Sequence, residues 1–151
     1  MNNMSDTAKN NALDIAGYII NYSNQQGYQI SNLKLQKLLY FVQAFFLASI
    51  NRPCFNEEIE AWAFGPVVAN VYHEFKRYGA ENIPRISRAG SDHTINDSDK
   101  RIIEAVVDKF KYYSAPDLVK LTHNQDPWVD AYSPYQNAVI SKKAIKDYFV
   151  K

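Results

Sequence analysis

His123 has the clearest potential for chemistry, because Asp126 follows it by three residues. A carboxylate at that distance could orient the imidazole ring for proton transfer. The same histidine also fits the last turn of a helix, where the helix dipole favours it and its ring can bond the following turn. In that interpretation, Trp128 packs on the core. An enzyme centred on His123 therefore stays open beside a purely structural role.

Lys37 is unusual because it lies inside the most apolar segment of the chain. A lysine in such a place can extend its ammonium group to the surface over an apolar stem. It can instead pair with a buried carboxylate or cap exposed carbonyl groups. Its position near the start of a predicted helix favours extension to the surface.

The remaining ionisable residues do not form a recognised metal or nucleophile motif. His73, His93 and His123 are too widely spaced for a zinc finger or a metalloprotease helix. Cys54 is the only cysteine, so we interpret it as a small hydrophobic residue without a disulfide partner. We therefore predict no metal, no cofactor and no catalytic residues.

Two glutamates, Glu58 and Glu60, would share one face of a strand about 7 Å apart. This separation is compatible with acid–base catalysis. No second type of catalytic residue lies near them in the sequence. A charged strand edge that resists aggregation is the simpler interpretation.

Composition limits the classes of partner. The chain has 151 residues and a formal net charge of +1, which gives no support for nucleic-acid binding. Its polar N-terminus is not a signal sequence, so we expect a cytoplasmic protein without a membrane anchor. Aromatic residues make up 14% of the chain, enough for a dense core or for a surface that binds protein.

These residues must be positioned by a helical domain. Residues 31–50 are apolar on nearly every face, which predicts a helix buried at the centre of the domain. The segment is too short and too interrupted for a membrane span. Ser31 is its expected N-cap, and Arg52 and Pro53 follow its expected end.

The other predicted elements surround this central helix. Helices are expected from a cap at Ser5 or Asp6 to Gly27, from Pro66 to Tyr78, from Asn96 or Asp97 to about Tyr113, from Ser114 to His123 and over residues 142–149, with one helical turn ending near Tyr132. Short strands are expected at residues 57–64 and 138–140, and a loop at 80–96. The fold class is mainly α, a compact single-domain helical bundle around a buried central helix with a minor β element. We divide the chain into a flexible segment, residues 1–11, and one domain, residues 12–151.

Three sequence blocks together resemble the Panacea domain family, which includes SocA-like antitoxins and phage-associated GepA-like proteins. The blocks are LQKLLYFVQAFFLA, EIEAWAFGPVVANVYHEF and LTHNQDPW. The resemblance covers residues 12–149. Its motif positions in this chain are Lys37, Tyr40, Trp62, Gly65, Pro66, His123 and Trp128.

The resemblance implies an antitoxin that neutralises a toxin protein encoded nearby through direct binding. It also leaves open a proteolytic adaptor that delivers the toxin to a protease. It implies no enzymatic activity and no cofactor. For the interface we name exposed aromatic residues and the 80–96 loop, with these partner-binding candidates: Tyr72, Tyr78, Arg85, Arg88, Tyr132 and Tyr135.

Overall fold

A computed structural model describes residues 8–87 and 94–151. In chain order, the described elements are α1 (Ala12–Gln26), α2 (Asn32–Ile50), β1 (Ile59–Trp62), β2 (Gly65–Val67), α3 (Ala69–Phe75), a 3₁₀ turn (Lys76–Tyr78), α4 (Asp97–Lys109), α5 (Ala115–His123), α6 (Asp126–Ala131), β3 (Val139–Ile140) and α7 (Lys142–Phe149). The predicted class, a mainly α domain with a minor β element, is confirmed.

Helix α2 is the centre of the fold. It packs against α1, α3, α4, α5, α7 and strand β2. By length and composition α2 could cross a membrane, but 72% of its apolar 18-residue stretch is buried inside the domain. The buried-helix prediction is confirmed, although Phe45 and Ile50 near its C-terminal end are exposed.

Polar side chains set most helix ends where the sequence predicts them. Ser31, Ser114 and Ser141 each accept a hydrogen bond from a backbone N–H in the first turn of the helix that follows. Gly27 closes α1 with a φ of 80°. Asn96 caps α4, as expected.

Three predicted boundaries are wrong. Helix α1 begins at Ala12 after an Asn11 cap, later than predicted, and the expected caps Ser5 and Asp6 lie outside the described residues. Helix α4 ends at Lys109 rather than near Tyr113. Pro66 does not start a helix, because it lies in strand β2 and α3 begins only at Ala69.

The β strands form a small antiparallel sheet of order β2-β1-β3. Strands β1 and β2 make a hairpin in which Trp62 pairs with Gly65 and Ala61 pairs with Pro66. Pro66 is tolerated because β2 is an edge strand, where the missing N–H breaks no ladder bond. The predicted second strand is confirmed as β3, which pairs Val139 with Glu60.

Tyrosines account for part of the contact between α1 and α4. The hydroxyl groups of Tyr22 and Tyr28 both donate hydrogen bonds to the Asp108 carboxylate, at 2.8–2.9 Å. Tyr18 bonds Glu104 one helical turn earlier. The high tyrosine content therefore serves helix packing as well as the surface.

Candidate functional site

The β1–β2 hairpin is held by three side chains that each donate a hydrogen bond to one of its carbonyl groups. These bonds join Lys37 Nζ to the Pro66 oxygen (3.1 Å), His123 Nε2 to the Ala63 oxygen (2.8 Å) and Trp128 Nε1 to the Trp62 oxygen (2.8 Å). The three donors come from α2, α5 and α6. We call them the hairpin anchor.

Lys37 does not reach the surface, so the predicted extension to solvent is wrong. Its side chain is 0% exposed. Burial lowers the pKa of the Lys37 amine from 10.5 to about 7, because the charged form loses its hydration. Among the described residues Lys37 forms no salt bridge, and it caps a carbonyl group instead.

Gly65 leaves the space that the lysine side chain occupies. A Cβ atom at Gly65 would lie 2.6 Å from Lys37 Cε and 2.9 Å from Thr122 Oγ1. Its φ of 106° is also one that other residues rarely adopt. Neither Ala63 nor Phe64 has a positive φ, so Gly65 supplies the positive φ that a tight hairpin turn needs.

His123 is fixed by the hairpin backbone and by ring stacking. A carbonyl oxygen only accepts hydrogen bonds, so the Nε2 atom of His123 carries the proton. The imidazole stacks on Trp128 with 4.1 Å between ring centroids. Asp126 is placed elsewhere, with its carboxylate 3.9 Å from Lys151 Nζ.

The two tryptophans join the hairpin to a set of aromatic rings. Trp128 stacks on Tyr132 with ring centroids 4.6 Å apart. On the hairpin side, Trp62 makes an edge contact with Tyr72 at 5.0 Å. Trp62 also donates its indole N–H to Glu60. The Glu60 carboxylate is therefore hydrogen-bonded within its own strand. Glu58 lies near Lys142 instead of forming a carboxylate pair with Glu60.

Tyr40 holds the α5–α6 junction from within the core. Its hydroxyl donates a hydrogen bond to Gln125 Oε1 at 2.8 Å, and both residues are buried. Burial raises the pKa of Tyr40, with a smaller contribution from Tyr148. Gln125 immediately precedes α6, so this bond positions the helix that carries Trp128.

Sequence reasoning missed the buried glutamines of α2. Gln36 accepts a hydrogen bond from the Val68 N–H at 3.0 Å, just after the hairpin. Gln43 accepts from the N–H groups of Cys54 and Phe55, and it donates to the Phe55 carbonyl. The available signal was a polar residue within an otherwise apolar helix, because a buried polar group requires a hydrogen-bond partner.

The residues proposed for an enzyme do not share a pocket. Lys37 and Tyr40 are each 0% exposed and bond Pro66 and Gln125, respectively. His123 borders a surface groove, but its Nε2 atom is used by the hairpin backbone. This geometry gives no support to an enzyme centred on His123.

Side chains that could bind a metal ion do not cluster within residues 8–87 and 94–151. No group of three or more His, Cys, Asp or Glu side chains there is placed to hold a metal ion. Cys54 is buried, and burial raises the pKa of its thiol, as fits a small hydrophobic residue. His93 lies outside the described residues.

The partner-binding candidates named from the sequence occupy different surroundings. Tyr72 and Tyr132 pack against the two tryptophans of the site. Tyr135 is 94% exposed, and Arg85 is also exposed. Tyr78 is half-buried beneath the Arg77 guanidinium, and Arg88 lies outside the described residues.

The sequence matches the family described as "Antitoxin SocA-like, Panacea domain" over residues 35–129. This match encloses the hairpin and all seven motif positions. The chain belongs to this family. It is also 39% identical over 137 residues to Antitoxin SocA of Caulobacter vibrioides, an alignment that covers 80% of this chain and 72% of that protein. No solved structure matches the chain.

Proposed function

We propose that this Panacea-domain protein is a cytoplasmic antitoxin that neutralises a toxin protein, encoded near its own gene, by binding it directly. The observation that carries the proposal is the 39% identity to Antitoxin SocA over most of both chains. Family membership supports an antitoxin role in general. The direct mode of binding and the nearby gene are our proposal.

The site favours a positioning role for the seven motif residues. Lys37, His123 and Trp128 each donate a hydrogen bond to a hairpin carbonyl. The Tyr40 hydroxyl donates one to Gln125. A side chain whose polar atoms are already paired inside the domain gains little from a partner. We therefore propose that these residues shape the surface that binds the toxin.

Co-expression with the product of the neighbouring gene tests the proposal. That product should stop growth when produced alone, and growth should return when this protein is produced with it. The two proteins should then co-purify as one complex in size-exclusion chromatography. A neighbour that is harmless alone, or two proteins that elute separately, would contradict direct neutralisation.

Toxin turnover separates occlusion from delivery to a protease. If neutralisation is by occlusion, the toxin half-life in the presence of this protein stays the same in strains with and without the cytoplasmic proteases. A toxin that disappears only when both this protein and a protease are present would instead identify a proteolytic adaptor. Measuring toxin levels after translation is stopped distinguishes the two.

A further inference from the structure

A surface made of neighbouring depressions borders α5, beside the tip of the hairpin. Three neighbouring depressions of about 550, 520 and 460 Å³ form it. The first and second share Tyr112 and Tyr113, and the second and third share Lys120 and Asn124. We call this surface the α5 groove.

The third depression of the groove is apolar. Its lining includes Leu33, Phe64, Pro116 and Val119. Phe64 is the second residue of the hairpin turn and is 65% exposed. Together with Leu33, Pro116 and Val119, the exposed Phe64 ring forms an apolar patch of the kind that a protein partner covers.

The hairpin anchor fixes the position of Phe64. His123 bonds the carbonyl of Ala63, directly before Phe64, and Lys37 fills the space beneath Gly65, directly after it. His123 also lines the same depression as Phe64. The buried lysine and the stacked histidine therefore fix the backbone on both sides of one exposed apolar side chain at the end of the groove.

The charge of the groove is positive. Its described lining includes Lys34, Lys111 and Lys120 against one carboxylate, that of Asp117. The hydrogen bonds from Ser114 in the capping box of α5 lower the pKa of the Asp117 carboxyl, so it stays ionised and offsets one of these positive charges. Lys111 and Lys120 are exposed, so an acidic partner could reach both.

We propose that the α5 groove docks an acidic segment of the toxin, with an apolar side chain of that segment packed against Phe64, Pro116 and Val119. The inference rests on the proposed function and names the surface and the partner chemistry that serve it. Lys111 and Lys120 attract the acidic residues, and the third depression holds the apolar one. Tyr112 and Tyr113 line both the first and the second depression.

Substitutions in the groove test the proposal against the other exposed aromatic surface of the chain. The toxin probe is the neighbouring gene product, carrying a substitution that abolishes its toxicity. Phe64→Ser removes the apolar contact and Lys120→Glu reverses a groove charge. Phe45→Ser and Lys76→Glu are the matched controls, because both residues are exposed and neither lines the groove. Tyr135→Ser tests the rival surface, because Tyr135 is a partner-binding candidate named from the sequence.

Binding is measured by isothermal titration at low and high salt, after circular dichroism has established that each variant is folded. We expect Phe64→Ser and Lys120→Glu each to weaken the affinity by about tenfold or more, and the controls to change it by less than about twofold. Lys120→Glu should also flatten the salt dependence of the affinity. Unchanged affinity in both folded groove variants would overturn the inference, and so would a loss confined to Tyr135→Ser. Failure of the unsubstituted protein to bind at all would instead overturn the proposed function.

Discussion

Lys37 and Pro66 are joined by a hydrogen bond from a fully buried amine to a strand carbonyl, at 3.1 Å. The two residues are complementary in chemistry. Proline has no N–H for a sheet, and its carbonyl faces the helix instead of a neighbouring strand. The lysine supplies a donor from inside the core, and Gly65 supplies the room for it. This contact links the central helix to the hairpin and gives the first prediction.

Lys37 makes the stability of the protein depend on pH in the neutral to alkaline range. Its pKa is about 7 in the folded protein and near 10.5 when unfolded. Between these values the unfolded chain binds more protons, so the free energy of unfolding rises with pH, by at most about 1.4 kcal/mol per pH unit from this group. Urea unfolding of the wild type and of Lys37→Met at pH 7, 8 and 9 measures the difference. The substitution should lower the slope by the contribution of Lys37, about 1 kcal/mol per pH unit between pH 8 and 9.

Lys34 provides the internal reference for this experiment. Burial also lowers the pKa of its amine, so it contributes a slope of the same sign that persists in Lys37→Met. Lys34→Met should leave the Lys37 contribution in place. If Lys37→Met keeps the full wild-type slope, Lys37 is not the titrating group.

Gly65→Ala should destabilise the protein strongly. The new Cβ would lie 2.6 Å from Lys37 Cε, and the φ of 106° is strained for alanine. We expect a loss of about 2–4 kcal/mol in the free energy of unfolding. Gly27→Ala is the matched control, because its φ is 80° but nothing lies within 4 Å of its added Cβ. It should cost about 1 kcal/mol. Equal losses at the two glycines in thermal or urea unfolding would show that backbone strain alone matters and that the packing against Lys37 does not.

Trp128→Phe separates the hydrogen bond of the indole from its stacking. Phenylalanine can still stack between His123 and Tyr132, but the Trp62 carbonyl loses its donor. The lost bond and the smaller ring should together cost about 1–3 kcal/mol. Tyr132→Phe keeps the stack and changes only a hydroxyl, so it should stay within about 0.5 kcal/mol of wild type. Both are measured by urea unfolding, and a loss in Tyr132→Phe as large as in Trp128→Phe would argue against the indole bond.

His123 should exist as the Nε2–H tautomer when it is neutral. The hydrogen bond to the Ala63 carbonyl at 2.8 Å requires the proton on that nitrogen. The ¹⁵N chemical shifts of the ring, recorded on protein labelled at histidine, identify the tautomer directly. A dominant Nδ1–H form would mean that the histidine does not anchor the hairpin in solution.

The helix framework could be predicted because its signals are local. Ser31, Ser114 and Ser141 each precede a helical apolar pattern, and a capping side chain acts within three residues of its own position. The all-round apolar character of α2 similarly indicates burial without knowledge of its neighbours. These features depend on short stretches of sequence, and the structure has them as expected.

The hairpin could not be predicted, because Gly65 and Pro66 fit two local structures equally well. A glycine followed by proline also suits the start of a helix, and the valines that follow have helical spacing. Pairing with β1 and the hydrogen bond from Lys37 decide in favour of a strand. Both are contacts between distant parts of the chain. For the same reason, Lys37 was expected at the surface, since nothing near it in sequence reveals that the hairpin covers it.

The candidate site was predicted as a set of residues but not as an arrangement. The motif blocks contain Lys37, His123 and Trp128, yet their common target in the hairpin follows only from the fold. Gln125 and Thr122 were missed because single polar residues near a helix end are common. The α5 groove was also missed, since its lining comes from four separate segments.

Tyr40→Phe tests whether the core of α2 positions the helix that carries Trp128. The substitution removes only the hydroxyl that donates to Gln125 Oε1, and it leaves that oxygen buried without this donor. We expect a loss of about 1–3 kcal/mol in the free energy of unfolding. Tyr113→Phe is the control, because Tyr113 is 44% exposed, and it should stay within about 0.5 kcal/mol of wild type. In the double variant Tyr40→Phe/Gln125→Met neither partner is left unpaired, so its loss should be smaller than the sum of the two single losses. Additive losses would mean that Tyr40 and Gln125 act independently and that the bond does not fix α6.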